Sequence, residues 1–123
     1  MEENGAPKAA AIAQLRKGVA PYCVLALVAG HPQYGYGLAR ALADAGVVAG
    51  AGSVYPLLSR LQAEGWLRAQ WRTEEAGAPR KYYRLTPAGS RALADFQDLW
   101  RQFAQDMSRI LEAGGGGDGE QDA

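Results

Sequence analysis

The sequence contains little of what disulfide bonds, metal binding or catalysis require. Its 123 residues include a single cysteine, Cys23, and a single histidine, His31. One cysteine excludes an intramolecular disulfide bond and is typical of a reducing cytoplasm, where we expect this protein to be located. His31 lies in a turn between Gly30 and Pro32, and no third or fourth ligand stands at a metal-binding spacing. The chain has no nucleophile–base pair and no phosphate-binding glycine motif, so we expect no enzymatic activity, no cofactor and no metal.

The chain also lacks long apolar runs and an excess of charge of one sign. Its longest apolar run, residues 19–29, contains Pro21 and is shorter than the ~20 residues of a membrane-spanning helix. No basic segment followed by an apolar one opens the chain, which argues against a secretory signal. Thirteen basic and thirteen acidic residues give a net charge of zero, and 48% of the residues are apolar. These values indicate one small soluble domain.

The charges are unevenly distributed although they sum to zero. Residues 16–91 contain ten basic and four acidic side chains, a net charge of +6. Residues 92–123 contain two basic and seven acidic side chains, a net charge of −5. Nucleic-acid binding explains a basic body with an acidic carboxyl-terminal end well, although the same distribution also arises by chance in small proteins.

The two ends of the chain show no pattern of a packed structure. Residues 1–13 have little periodicity, and we expect them to form a flexible N-terminal arm. Residues 114–123 are glycine-rich and acidic, and such a segment buries too little apolar surface to offset its ordering entropy. We therefore expect a disordered tail there, after an ordered domain over residues 14–86 and a helix over residues 87–113.

Three helices are predicted in the first half of the ordered chain. Residues 21–29 form an apolar block that favours a buried helix, which begins near Gln14 and kinks at Pro21. Leu38, Leu42 and Ala45 follow a helical spacing and predict a second helix over residues 34–46. The third helix is predicted from a full apolar stripe, Val54, Leu57, Leu58 and Leu61, and it ends at Gly65.

After Gly65 the apolar period changes from that of a helix to that of a strand. Residues 67–72 and 80–85 alternate between apolar and polar side chains and enclose a turn-rich segment, which predicts a β-hairpin with a long loop. Symmetrical pairing about position 76 places residue 68 opposite 84, and residue 72 opposite 80. One face then carries Arg68, Gln70, Arg72, Arg80, Tyr82 and Arg84, and the other carries Leu67, Ala69, Trp71, Tyr83 and Leu85. Thr86 and Pro87 supply the N-cap and first position of a last helix.

The predicted order, three helices and then a hairpin, is that of a winged helix-turn-helix. The fold class is therefore mainly α with a small β-hairpin, followed by a carboxyl-terminal helix. The chain also resembles the PadR family of bacterial transcriptional regulators in three segments, YGYGLARAL (34–42), GSVYPLLSRLQAEGWL (52–67) and APRKYYRLTPAG (78–89). The single short carboxyl-terminal helix resembles the small subfamily, whose members dimerise through that helix. Gly37 departs from the family pattern, which often has an acidic residue there.

The resemblance implies DNA binding, and the residues suggest which side chains carry it. The face of the third helix opposite its apolar stripe presents Ser53, Tyr55, Ser59 and Arg60, at the position of a recognition helix in the major groove. For Ser53 an ordinary N-cap, and for Tyr55 packing against the wing, are the alternatives. Arg72 belongs to the arginine face of the hairpin, which suits DNA phosphates or, alternatively, is a solvated face near acidic residues. For Arg80 and Lys81 the resemblance implies contacts of the wing with DNA.

The last helix carries an apolar stripe whose steps alternate between three and four residues, a repeat of 3.5 that is typical of a helix–helix seam. The predicted dimer interface consists of Leu93, Phe96, Trp100, Phe103, Met107 and Ile110. Packing of this helix on its own winged domain would use the same residues. The resemblance also implies that Phe96, Trp100 and Phe103 line a site for a planar aromatic effector, with a plain interface core as the alternative.

Together these features predict a homodimeric, sequence-specific DNA-binding regulator that acts as a ligand-responsive repressor on an inverted-repeat operator. The alternative is a winged-helix module that binds proteins and not DNA. The arginine-rich hairpin argues against that alternative, and a DNA-binding titration separates the two.

Overall fold

The computed structural model describes residues 2–74 and 77–117. The chain divides into two compact units, Met1–Leu93 and Ala94–Ala123. The first unit confirms the winged helix-turn-helix. The elements are α1 (Glu2–Val28), β1 (Gln33–Tyr34), α2 (Gly35–Asp44), a 3₁₀ turn (Ala51–Ser53), α3 (Val54–Ala63), β2 (Leu67–Arg72), β3 (Arg80–Leu85) and α4 (Pro87–Gly117).

The core of the winged unit forms where α1, α2 and α3 pack on one face of the sheet. The leucines that define the helical stripes of α2 and α3 are buried, as their spacing predicts, except Leu57, which is half-buried. The side chains with no more than 2% exposure are Val24, Leu25, Val28, Leu38, Ala39, Leu42, Val54, Leu58, Leu61 and Leu67. Because these residues come from four elements, the core fixes the orientation of α3 against the sheet.

Glycines end α2 and α3 in the same way. Gly46 and Gly65 have positive φ angles, 78° and 81°, in the left-handed region that favours glycine. The Trp66 amide donates to the Leu61 carbonyl at 3.0 Å, and the Gly65 amide donates to that of Gln62 at 3.0 Å, which is a Schellman motif. The predicted end of the third helix at Gly65 is confirmed.

Helix α1 differs from its prediction at its beginning. The helix begins at Glu2 and not near Gln14, so it includes residues expected to form an arm, and it continues through Pro21. Residues 9–13 are rich in alanine, the residue type with the highest helix propensity. This run extends the helix beyond the core. By length and composition the segment Gly5–Val28 is also able to cross a membrane, a test that core helices of soluble proteins pass as well.

The sheet has three strands in the order β1–β3–β2, and not only the two predicted. Residue 68 pairs with 84 and residue 72 with 80, which confirms the register inferred from symmetry. The additional strand β1 pairs Tyr34 with Tyr82. Gly35 permits this pairing, since a Cβ there would lie 3.1 Å from the Tyr83 ring. A two-residue strand has no periodicity, which explains why the sequence pattern does not reveal it.

Helix α4 begins on the turn between α3 and β2. The Thr86 hydroxyl accepts the Gly89 amide at 3.0 Å, which confirms the predicted N-cap, and donates to the Gly65 carbonyl at 2.6 Å. A Cβ at position 89 would lie 2.2 Å from the Trp66 carbonyl oxygen. Glycine is therefore required at the position where a capping box would place glutamate.

At its other end α4 extends to Gly117, four residues past the predicted end. Each residue added to an existing helix gains a hydrogen bond, whereas only a new helix bears the cost of nucleation. Residues 118–123, the rest of the predicted tail, lie outside the described residues.

Candidate nucleic-acid interface

Helix α3 presents three different faces along its length. Val54, Leu58 and Leu61 are fully buried and hold the helix in the core. Tyr55 and Ser59, one turn apart, are exposed on a second face. Ser53, Leu57 and Arg60 lie on a third face, because residues three and four apart occupy the same side of a helix. The four residues predicted on α3 therefore belong to two different surfaces.

The second face of α3 forms one wall of a concavity of about 480 Å³, which we name the wing cleft. The start of α2 and the hairpin form its other walls. Its lining residues are Tyr34, Gly35, Tyr36, Tyr55, Ser59, Trp71, Pro79, Arg80, Lys81 and Tyr83. The structure thus brings together four of the seven predicted DNA-binding residues, Tyr55, Ser59, Arg80 and Lys81.

Exposed aromatic rings and cations are combined in the wing cleft. Tyr36, Tyr55 and Trp71 are 52%, 43% and 65% exposed, large fractions for aromatic side chains. The Lys81 Nζ atom lies 5.7 Å from the centroid of the Trp71 ring and 5.5 Å from that of Tyr83. Such rings attract the ammonium group and hold it beside α3. No acidic side chain is among the described residues that line the cleft, so its charge suits an anion.

Two residues of the wing cleft, Tyr36 and Trp71, were not among the predicted site residues. The Tyr36 hydroxyl accepts a hydrogen bond from Arg40 Nη1 at 3.3 Å, one helical turn along α2. This hydrogen bond raises the pKa of Arg40 above its ordinary value. Tyr36 stands in the first segment of the resemblance, residues 34–42, whereas Trp71 lies outside all three segments. Alternation alone assigns Trp71 to the core side of the hairpin. The core ends before Trp71, which leaves the ring in solvent.

The opposite face of the sheet, which we name the outer arginine face, carries the four predicted arginines. Arg72 lies over the Tyr82 ring at 4.3 Å, and Arg80 lies over the Tyr34 ring at 4.7 Å. These cation–π contacts stabilise the two arginines where strand pairing sets their positive charges opposite one another. Arg80 also reaches the edge of the wing cleft, whereas Arg72 lines neither this cleft nor α3. Apart from Arg80, the outer-face arginines thus lie on the side of the sheet that α3 does not occupy.

Ser53 and Arg60 line a separate concavity of about 290 Å³ between α1, α3 and the turn before α3; we name it the α1 cleft. Ser53 precedes α3, but its hydroxyl donates to the Gly50 carbonyl at 2.7 Å and makes no hydrogen bond to an α3 amide. Ser53 is therefore the N-cap residue of α3 by position, as the alternative interpretation has it, but its side chain does not cap the helix. Arg60 forms an exposed ion pair of 3.9 Å with Glu64.

Within the second unit the apolar stripe of α4 is exposed at Trp100, Phe103 and Ile110 and half-buried at Phe96 and Met107. Phe103 and Ile110 are 51% and 63% exposed, and the Phe96 and Trp100 rings stack with centroids 6.1 Å apart. Leu99 and Leu111, absent from the predicted stripe, lie on the same face by helical spacing and are exposed as well. Leu93 differs from these residues because it is buried in the winged unit. Among the described residues, no group of three or more histidine, cysteine or acidic side chains is arranged to hold a metal ion.

Comparison with known proteins gives one consistent result. Residues 24–95 match the model of the transcriptional regulator PadR-like family. A transcriptional regulator of Mycobacterium tuberculosis is 32% identical over 84 residues, which cover 68% of this chain and 78% of that protein. A crystal structure of a PadR family transcriptional regulator from Eggerthella lenta superposes with a TM-score of 0.79 and 32% identity, over 91% of this chain and 98% of that one.

A second solved structure contains DNA. It is that of Bacillus subtilis PadR in complex with operator DNA, with a TM-score of 0.58 and 26% identity over 64% of this chain and 46% of that one. The family model covers more than half of this chain, and the regulator from Eggerthella lenta shares its architecture over nearly the full length. The chain therefore belongs to the PadR-like family of transcriptional regulators.

Proposed function

We propose that this protein binds double-stranded DNA in a sequence-specific manner and regulates transcription by doing so. The observation that carries the proposal is the wing cleft, where Tyr55 and Ser59 of α3 face Lys81 and Arg80 of the hairpin. The complex of Bacillus subtilis PadR with operator DNA supports this use of the fold. Its membership in a family of transcriptional regulators supports a role in DNA binding without catalysis.

In the proposed complex α3 enters the major groove and the hairpin follows the adjacent backbone. The hydroxyls of Tyr36 and Tyr55 donate to phosphate oxygens, while Lys81 and Arg80 neutralise phosphate charge. Ser59, on the same face of α3 as Tyr55, lies where side chains meet base edges. Ser53, Arg60 and Arg72 lie on other surfaces, so we assign them a smaller share of the affinity than the wing-cleft residues.

The distal part of α4 supports a homodimer. Its exposed stripe forms a continuous apolar surface of a kind that monomeric proteins rarely leave in water. Pairing two copies along this stripe buries it and relates two α3 helices by a two-fold axis. The operator is then an inverted repeat, with half-sites separated by one or two turns of DNA, about 10 or 20 base pairs.

Regulation by a small molecule is the finer part of the proposal. The stacked Phe96 and Trp100 rings with Phe103 give the dimer axis a flat aromatic lining, which suits a planar aromatic effector. We propose that the dimer is a cytoplasmic repressor that such an effector releases from its operator. The single free cysteine, Cys23, is consistent with a reducing compartment.

The proposal is tested by fluorescence anisotropy with labelled duplexes from the region upstream of the protein's own gene. Lys81→Ala and Arg80→Ala are compared with Arg68→Ala, which removes the same charge from the outer arginine face. The slope of log affinity against log salt concentration is negative, and each wing-cleft variant should reduce its magnitude by about one, since one phosphate contact is lost. Arg68→Ala should leave the slope unchanged.

If the salt dependence of DNA affinity is the same for all three variants, the DNA surface lies outside the wing cleft. Absence of salt-dependent binding to any upstream duplex, with the fold intact, would favour the protein-interaction module instead. Footprinting then tests the dimer. A single asymmetric half-site protected by a monomer would contradict the proposed inverted repeat.

A further inference from the structure

The α1 cleft is a second concavity on the recognition helix, and the main DNA contacts proposed above, those of the wing cleft, lie outside it. Helix α1, the segment 47–49 and α3 form its walls, at the side of α3 that faces away from the wing cleft. Its residues all belong to the winged unit, so the cleft is complete within one chain. The described lining residues are Ala13, Arg16, Lys17, Ala20, Pro21, Val47, Val48, Ala49, Ser53, Leu57 and Arg60.

The floor of the α1 cleft is aliphatic. Ala20 and Val48 are buried at 7% and 8% exposure, and Pro21 and Leu57 continue the same surface. None of the described lining residues has an aromatic ring, in contrast to the wing cleft and the α4 stripe. A floor of this kind favours a short aliphatic body over a planar aromatic one, because ring stacking needs an aromatic partner.

The polar groups of the α1 cleft are almost all cationic. Arg16, Lys17 and Arg60 line it, and no acidic side chain is among the described lining residues. Arg16 Nε donates to the Gly46 carbonyl at 3.0 Å, which fixes the guanidinium group and uses one of its five donors. The ion pair of Arg60 with Glu64 is long and exposed, and such pairs are weak. Three cations beside an apolar floor complement an amphipathic anion.

We propose that the α1 cleft binds a small aliphatic carboxylate. The carboxylate accepts hydrogen bonds from Arg16 and Arg60 with Lys17 nearby, and the alkyl chain lies on the floor of Ala20, Val48 and Leu57. The ligand contacts α1 and α3 together, and α3 also carries Tyr55 and Ser59. Binding in the α1 cleft therefore changes DNA affinity, and by linkage DNA changes carboxylate affinity by the same factor. This coupling to DNA rests on the proposed function, whereas carboxylate binding itself does not.

The binding test uses octanoate as the probe and the full-length protein labelled with ¹⁵N. Saturable shifts of amide resonances are expected at residues 16–20, 47–49 and 57–60, with a dissociation constant of about 1 mM for so small a ligand. Octanol, which lacks the charge, and octylammonium, which reverses it, should each bind at least tenfold more weakly. Shifts confined to α4, or equal binding of octanol, would overturn the proposal.

Two variants locate the charge requirement. Arg16→Gln and Arg60→Gln should each weaken octanoate binding about tenfold, as expected for loss of a charged hydrogen bond. Arg109→Gln, which removes a cation from the exposed surface of α4, serves as the control and should bind octanoate normally. The ¹⁵N spectrum of each variant reports whether the fold is retained, and the second variant keeps the test open if one fails to fold.

The same variants distinguish the other uses of the α1 cleft. If the cations of the cleft contact DNA phosphates, both variants reduce the salt dependence of DNA affinity, and octanoate shifts no defined set of amide resonances. This result would overturn the proposal. If the cleft receives part of a second subunit, both variants shift the dimer dissociation constant while octanoate leaves it unchanged, and this also overturns it. Octanoate binding that persists in a protein unable to bind DNA would support the site and contradict only the proposed function.

Discussion

The winged unit and the distal part of α4 differ in where their apolar side chains lie. In the winged unit, leucines at helical spacing such as Leu38, Leu42 and Leu58 are 1% exposed or less. In α4, Leu99 and Phe103 follow an equally regular spacing and are 61% and 51% exposed. A regular apolar stripe therefore indicates that a helix will pack, but not whether its partner belongs to the same chain. The first unit has its own core, whereas the second requires another surface.

The largest effect is expected from a leucine of the core compared with a leucine of the stripe. Leu58→Ala should lower the free energy of unfolding by about 2–5 kcal/mol, because it leaves a cavity among fully buried neighbours. Leu99→Ala, the same chemical change at an exposed position, should leave the unfolding of the winged unit within about 0.5 kcal/mol. Urea titration followed by circular dichroism at equal protein concentrations measures both. Equal losses would show that α4 contributes to the same cooperative core.

A charge placed in the stripe should separate association from folding. Phe103→Glu should raise the dimer dissociation constant about a hundredfold, because a carboxylate in an apolar seam is desolvated without a partner. Gln105→Glu adds the same charge on the opposite side of α4 and is the control. Light scattering over a range of concentrations gives both dissociation constants. A dimer that survives Phe103→Glu would place the subunit interface outside the α4 stripe.

Trp100→Ala distinguishes a ligand site from a plain interface within the stripe. If the ring lines an effector cleft, the variant should remain dimeric and bind DNA but no longer respond to planar aromatic compounds. If it belongs to the interface core, dimer stability should fall by up to about 3 kcal/mol, as for other large-to-small changes. Fluorescence titration of the wild-type protein comes first, with a Trp100→Phe variant to exclude signals from Trp66 and Trp71. Quenching that persists in this variant would place the aromatic ligand elsewhere.

The smallest effect is expected at two glycines of α2. Gly35→Ala should destabilise the winged unit by about 1 kcal/mol, since the new Cβ lies 3.1 Å from the Tyr83 ring and the junction of α2 with β3 must yield. At Gly37 no atom lies within 4 Å of the added Cβ, so Gly37→Ala should stabilise the helix by about 0.5–1 kcal/mol. Thermal unfolding of the two variants should therefore shift in opposite directions. Stabilisation by both would mean that Tyr83 moves aside without cost.

The hairpin illustrates how far a sequence pattern extends. Alternation and the symmetric loop predict every pair from Arg68 with Arg84 to Arg72 with Arg80, and the structure has the same pairs. The same pattern does not predict that β1 adds a third strand, because two residues cannot alternate. Nor does it reveal how the arginines are stabilised. Arg72 lies over the ring of Tyr82 in β3, and Arg80 lies over the ring of Tyr34, a contact that depends on β1 being present.

The candidate site was predictable in part, for a geometric reason. Helical spacing places Tyr55, Ser59 and Arg60 of α3, with Ser53 just before it, outside the core. It does not divide them between two surfaces, because that division depends on which elements stand on either side of α3. The rotation set by Val54, Leu58 and Leu61 directs Tyr55 and Ser59 to the hairpin, and Ser53 and Arg60 to α1. Two clefts on one helix are thus a property of packing.

The sequence by itself determined the local elements of this protein and their order. Apolar periods of 3.6 and 2, the glycines that end α2 and α3, and the Thr86 cap are local signals, because each depends on neighbours within a few residues. Only the tertiary structure decided which side chains from distant segments share a surface. Lys81 and Tyr55 line one cleft, and Arg16 and Arg60 line another, because the core fixes the angles between elements. No local period encodes those angles.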